Sequence, residues 1–379
     1  MLIAMINENL ISANSVVHEN TTKMVFVCPC CRSTVILKRG KYRIAHFSHQ
    51  ANATCVGFSE NESEAHLKGK LTFKRQVREM GYRVEIEVVM PSIEQRADVF
   101  LPDEQFVIEY QCSPISFDEI NRRTRNYRHL GNQVIWILGG RHRSRALTSE
   151  AVAKFARFQA HLGFYIVFYE ASAKQFWLYD HIQEIAGKLN WQSQTFNSLA
   201  EILAFIKTSG QLSDGQSLNS VGRSALLQQL RRIQQSNILK SPTYREMVTA
   251  CYRFGRLFVG CPMICHGKQA GGLPIFKQTI LCWKVWLVLE IFETGLMQLS
   301  NRHLNDLFVQ SVNRFGRQMV QVNNYVRFYQ IEFLNFINGL RSQGYLRHTV
   351  NGVQIIRRPE WFGSYDQKRQ FIMTAARLM

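Results

Sequence analysis

The 379-residue sequence predicts an α/β protein in three parts: a small β-rich module, a mixed β-sheet with helices on its faces, and a mostly α-helical C-terminal domain. Three observations predict it. After residue 60 the elements run helix, strand, strand, strand, helix, strand, so an antiparallel start ends in a helical crossover to a further strand. A stretch rich in Cys and His comes before them. The charge is uneven: 46 Lys and Arg against 28 Asp and Glu give a net +18, and from Val221 onward 21 Lys and Arg stand against 7 Asp and Glu. The basic excess points to a polyanionic partner, nucleic acid or an acidic membrane surface. A hydrophobic content of 46% excludes a disordered chain and suffices for several cores. The expected boundaries are 1–58, 59–180, a helix and linker at 181–220, and 221–379.

The first part contains the strand candidates "MLIAMI", "KMVFVC" and "STVILKRGKYRIAHFS", with Gly40 at a hairpin turn. Cys28 and Cys31 have the C-x₂-C spacing of a zinc knuckle, and His46, His49 and Cys55 follow, so five candidates compete for four places. Cys30 adds a neighbouring thiol. Nine cysteines, an odd and unevenly spaced number, suit reduced thiols better than a disulfide framework. "CPMICHGK", at 261–268, has no second ligand pair nearby and reads as core cysteines.

"NESEAHLKGKLTFKRQVREMG" is a helix, with Asn61 and Ser63 offering caps, acidic residues in the first turn and Gly81 at its close. Leu67, Leu71 and Val77 give it a sheet-facing stripe. The strands "YRVEIEVVM", "QRADVFL" and "QFVIEYQCS" come next, then the helix "FDEINRRTRNYRHLG" and the strand "NQVIWIL", apolar enough to be buried on both faces. "FYIVFYE" and "QFWLYD" extend the domain. "TSGQLSDGQSLNSVG" is the linker, and three further segments, from "SALLQQLRRIQQSNIL" to "VRFYQIEFLNFINGLRSQGYL", read as helices. Arg and aromatic residues interleave here, as in "YVRFYQ". Most of those aromatics read as core, which leaves the charge itself as the sign of nucleic acid.

In "FVIEYQCS" strand alternation puts Glu109 and Gln111 on one face, and Asp98 lies one strand earlier. Two carboxylates on adjacent strands repel unless a divalent cation lies between them, and Mg²⁺ accepts such a pair with waters and phosphate oxygens. Glu62, His66 and Lys70 fall on one helix face, suited to completing a metal shell, moving a proton and offsetting phosphate charge; Glu64 is the second choice of acid. Arg123, Thr124 and Tyr127 on the next helix are placed to contact a phosphate or buttress the site.

In this order "CPCC…HFSH", "ESEAHLKGK", "QRADV", "IEYQCSPIS", "RRTRNY" and "VIWILG" resemble the competence protein CoiA family, a nuclease-like branch of the PD-(D/E)xK restriction-endonuclease fold. The resemblance covers residues 24 to about 140. It implies that Asp98 and Glu109 are the acidic ligands of Mg or Mn, that Gln111 occupies the signature's Lys position, and that Glu62 is the helix acid. It also implies an N-terminal zinc-binding domain of the C-x₂-C…H-x₂-H type. An amide cannot supply the positive charge that a Lys brings, and Lys70 is the candidate for that charge.

The expected function is metal-dependent endonuclease action on single-stranded or branched DNA during competence and natural transformation. The alternative is a catalytically inactive DNA-binding factor that supports recombinase-mediated strand exchange. An RNA-processing nuclease is a third reading. Partners by analogy are DNA, recombination proteins and a second copy in a homodimer. The opening residues lack the marks of a secretory signal and no apolar run reaches membrane-span length, so the expected location is cytoplasmic.

Overall fold

The computed structural model describes residues 1–16, 24–41, 43–50, 55, 63–208, 222–239, 242–266 and 272–374. The chain divides into two units, Met1–Leu147 with Lys154–Asp180 and Gln192–Ser209, and Thr148–Ala153 with His181–Trp191 and Gly210–Met379.

The first unit begins with β1 (Ile3–Ile6), β2 (Asn9–Ser12), β3 (Phe26–Val27), β4 (Thr34–Gly40) and β5 (Arg43–His49), an antiparallel sheet in the order β2-β1-β3-β4-β5. Its core is small and includes Met1, Ala4, Phe26, Val35 and Phe47. A module of this size gains from a metal clamp.

Next come α1 (Glu64–Glu79), β6 (Glu85–Met90), β7 (Gln95–Leu101), β8 (Phe106–Gln111), α2 (Phe117–His129) and β9 (Gln133–Gly139). This is the order expected of a restriction-endonuclease-like core. The short helices α3 (Gly140–Arg143) and α4 (Ser149–Phe155) lead to β10 (Arg157–Gln159), β11 (Gly163–Glu170), β12 (Gln175–Ile185), β13 (Lys188–Phe196) and α5 (Leu199–Lys207). The sheet order is β13-β12-β11-β9-β8-β7-β6, with β10 paired to β11. Strands β6 to β8 are antiparallel, whereas β8, β9 and β11 are parallel, so the sheet is mixed.

Local sequence accounts for these elements. Ser63 caps α1 by accepting from the His66 amide, and Ser116 caps α2 by accepting from Glu119, where Asp118 and Glu119 also favour the positive helix end. Val134 to Leu138 of β9 are all buried, as expected of a strand covered on both faces. Leu67, Phe73 and Val77 of α1 pack with Val99, Ile108, Tyr110, Ile135 and Ile137. Gly69 lets the helix come close: a Cβ there would lie 2.1 Å from the Tyr110 ring. The stretch expected to open as helix and linker is strand as far as Phe196: β12 runs on to Ile185, β13 spans Lys188–Phe196, and α5 follows.

The second unit contains α6 (Arg223–Ile238), α7 (Arg245–Arg253), α8 (Ile280–Phe292), β14 (Gln298–Ser300), α9 (Asn301–Phe315), α10 (Val326–Ser342), β15 (Leu346–Thr349), β16 (Gly352–Ile355) and α11 (Tyr365–Thr374). It is mainly helical, with a three-stranded sheet in the order β14-β16-β15 that the sequence pattern did not reveal. Strands of three or four residues are too short to show a period. Helix α8 is buried almost all round. Cys251, Cys261, Cys265 and Cys282 are buried, and Lys368, also buried, donates to the Cys261 carbonyl at 2.6 Å and thiol at 3.1 Å. Phe315, Phe328, Tyr329 and Phe362 lie in the core. Among the described residues no helix is long and apolar enough to cross a membrane.

Candidate active site and metal centre

The ladder between β7 and β8 ends at Val99 opposite Ile108; one step further the register would pair Asp98 with Glu109. There the strands part. The backbone groups released by the fork must find partners. Asp98 takes the Tyr110 amide on Oδ2 at 3.0 Å, and the Arg96 carbonyl receives Arg123 Nη2 at 3.3 Å. The two carboxylates thus stand at a built break in the sheet.

Helix α1 brings an imidazole and an ammonium group to Asp98. His66 Nε2 lies 3.0 Å from Oδ2, and Lys70 Nζ lies 3.9 Å from Oδ1. Burial opposes ionisation of Asp98, yet His66, Lys70 and Arg123 together outweigh it and hold its carboxyl well below the usual carboxylate range. Helix α2 serves Glu109: Arg123 Nη2 donates to Oε2 at 2.7 Å and the Tyr127 hydroxyl donates to Oε1. Burial pushes Glu109 up to about 7 against the pull of Arg123, and the charge on Asp98 adds to the rise. The two carboxyls are therefore driven apart, one firmly ionised and one poised near neutrality.

The sequence-predicted residues divide between two faces. His66 and Lys70 reach Asp98, while Glu109 is held by Arg123 and Tyr127. Thr124 is fully buried and its hydroxyl accepts from Trp136 Nε1 at 3.0 Å, which ties α2 to β9. Gln111 Nε2 donates to the Ser113 carbonyl at 2.9 Å. Glu64 is exposed and pairs with Lys68 at 2.7 Å, and Glu62 lies outside the described residues.

Two partners were missed. Glu87, 4% exposed, takes Lys70 Nζ at 2.5 Å on Oε1, and its Oε2 takes the Leu2 and Ile3 amides at 2.7 and 3.0 Å. Arg96 stands 3.5 Å from the same oxygen. Glu87 faces Asp98 across β6 and β7 with φ at +56°, a left-handed conformation that costs a non-glycine residue roughly 1–2 kcal/mol and that the surrounding network holds. The signal that singled out Glu109, a carboxylate inside an apolar strand, was present at Glu87 too.

Hard oxygen donors at the fork fit Mg²⁺ or Mn²⁺ in kind. A carboxylate has about four lone-pair sites. Arg123 and Tyr127 take one on each Glu109 oxygen, and Asp98 Oδ1 lies beyond hydrogen-bond reach of Lys70, so both acids keep acceptor capacity.

In the N-terminal module Cys28, Cys31, His49 and Cys55 bring four ligand atoms within 4.8 Å of one another. Cys28 and Cys55 sulfurs lie 3.9 Å apart, and Cys31 Sγ lies 3.3 Å from His49 Nε2. A tetrahedral zinc with bonds of about 2.3 Å needs edges of about 3.8 Å between sulfurs, so the set is compatible with structural zinc. The Cys30 amide donates to Cys28 Sγ at 3.4 Å, while hydrogen bonds from Ser33 and His49 overcome the opposing effect of burial and bring the Cys31 thiol down to about 6. His46 is the candidate to remove. It lies three residues from His49, hence on the opposite face of β5, and its Nδ1 sits 2.8 Å from the Ile44 carbonyl.

The fold and these two centres define a nuclease-like α/β domain preceded by a metal-ligand module. Residues 11–58 match the family model "Competence protein CoiA, N-terminal domain", and residues 62–206 match "Competence protein CoiA, nuclease-like domain". The chain belongs to the competence protein CoiA family. It is 30% identical over 126 residues to the competence protein CoiA of Bacillus subtilis (strain 168), a stretch that spans 33% of this chain and 34% of that protein. No solved structure matches the chain.

Proposed function

We propose that this protein cleaves phosphodiester bonds in single-stranded or branched DNA formed during competence and natural transformation, using Mg²⁺ or Mn²⁺ at Asp98 and Glu109. The observation that carries the reading is the fork between β7 and β8, where the buried carboxylates of Asp98 and Glu109 fall at neighbouring positions just past the last ladder pair and both keep acceptor capacity. When bound, the cation supplies an activated water and neutralises phosphate charge. Arg123 and Tyr127 orient Glu109, and His66 fixes Asp98 and can carry a proton at its Nε2. The net charge of +18 suits a DNA substrate.

A second reading is a catalytically silent factor that holds DNA for a recombinase. It is favoured by Gln111, whose amide is turned onto Ser113, and by the cations already beside the carboxylates, Lys70 near Asp98 and Arg123 on Glu109. Incubation of the purified chain with labelled single-stranded, duplex and four-way-junction DNA, with Mg²⁺, Mn²⁺ or chelator, separates the two. The nuclease cuts at least one substrate only with metal; the holding factor binds and never cuts.

A further inference from the structure

The second unit contains an arrangement that the nuclease reading does not use. Helix α8, strand β14, helices α9 and α10, and the hairpin β15–β16 follow one another, with β16 between β14 and β15 in the sheet. Three helices and a sheet of this order and connection make a winged helix, in which α10 is the second helix of a helix-turn-helix pair and the hairpin is the wing. Trp283 and Trp286 of α8 pack on Phe336 of α10 and Phe315 of α9, and Phe308 meets Phe333, so the three helices share one core. The wing is locked to its neighbour. Asn301 N donates to the Asn351 carbonyl at 2.8 Å, and a Cβ on Gly352 would lie 2.0 Å from the Leu299 carbonyl, so only glycine allows β14 this close.

This packing leaves one face of α10 in solvent. It presents Arg327, Gln330, Ile331, Leu334, Asn335 and Asn338, all exposed, and ends in Arg341. Gln and Asn are the side chains that pair with adenine edges, Ile and Leu can meet thymine methyl groups, and an α-helix fits the major groove. Beyond it the wing carries Arg347 and His348, with Val350 at its tip 92% exposed, and Arg357 and Arg358 follow. From Val326 to Arg358 the sequence has five Arg and a single acid, Glu332, whose carboxylate turns inward to the Leu273 amide at 2.8 Å. The face is therefore complementary to a phosphate backbone on both sides of the helix.

We infer that α8 to β16 form a winged-helix module that binds duplex DNA, with α10 in the major groove and the β15–β16 wing on the adjacent backbone. The site is separate from Asp98 and Glu109 and selects duplex, whereas the nuclease reading expects single-stranded or branched substrate.

The test is fluorescence anisotropy of the full chain in chelator, with a short labelled duplex and its single strand across a salt series. Arg327→Glu/Arg347→Glu is compared with Arg231→Glu/Arg253→Glu, an equal charge change at exposed positions on α6 and α7, and melting by circular dichroism confirms that each variant is folded. The expected result is a loss of about tenfold or more in duplex affinity and a shallower salt slope for the first pair alone. Asn335→Ala/Asn338→Ala weakens duplex binding and leaves the salt slope in place. Equal losses for both charge pairs, unchanged binding in the first, or no duplex binding by the unaltered chain would each overturn the inference. Because no cutting is measured, failure of the nuclease reading leaves this result standing, and the converse holds.

Discussion

Lys70 Nζ and Glu87 Oε1 lie 2.5 Å apart with both side chains almost completely out of solvent, and the pair joins α1 to β6 beside Asp98. Removing one partner of a buried ion pair strands the other charge and typically costs about 3–5 kcal/mol. Lys70→Met is therefore expected to destabilise the first unit by that amount in urea unfolding. Lys70→Met/Glu87→Gln removes both charges, keeps an acceptor for the Leu2 and Ile3 amides, and recovers part of the loss. A double variant as unstable as the sum of the two singles would contradict the pairing.

Gly69 is a second structural test. A methyl group there meets the Tyr110 ring, and overpacking of this kind costs about 1–3 kcal/mol. Gly69→Ala is expected to lower stability despite alanine's better helix propensity, with Gly69→Ala/Tyr110→Leu milder than the single change. A more stable Gly69→Ala would show that the helix does not approach so closely.

The N-terminal cluster predicts about one zinc per chain by metal analysis. His49→Ala and Cys31→Ser lose the metal, and chelation lowers the melting temperature. His46→Ala keeps it, because the His46 ring is turned to the Ile44 carbonyl. Loss of zinc from His46→Ala with retention in His49→Ala would reverse the assignment.

Glu184 gives a pH signature in the second unit. Burial pushes its carboxyl up to about 7, against the Ile280 amide, Lys284 and Arg232, while Glu332 adds to the rise. A raised folded value means that the native state holds its proton more tightly than the unfolded chain, whose value is near 4.3. The resulting stability is present below the unfolded value and is lost as pH rises through 7, about 4 kcal/mol in all. Glu184→Gln keeps an acceptor for Ile280 and is expected to flatten unfolding profiles between pH 5 and 8. An unchanged slope would count against the assignment.

Much of the fold was legible where periodicity was strong. The strand read at "QRADVFL" coincides with β7, and the apolar run at "NQVIWIL" marks β9. Parity along β5 could have separated His49 from His46 had the strand, read only as far as Ser48, been carried one residue further. Lys70 and His66, read from their spacing onto one helix face, both lie beside Asp98, but the partner Glu87 was not found, because that contact depends on a backbone turn at Glu87 that no local pattern announces. The wing strands escaped for a different reason: their pairing with β14 is a tertiary event spread over segments too short to carry a period.

The most direct measurement is single-turnover cleavage of the preferred DNA substrate with Mn²⁺ by the unaltered chain, Asp98→Asn and Glu109→Gln. Each substitution is expected to slow cutting by about a hundredfold or more while DNA affinity stays within about twofold. Cutting that survives both substitutions, or its absence in the unaltered protein despite tight binding, would contradict it.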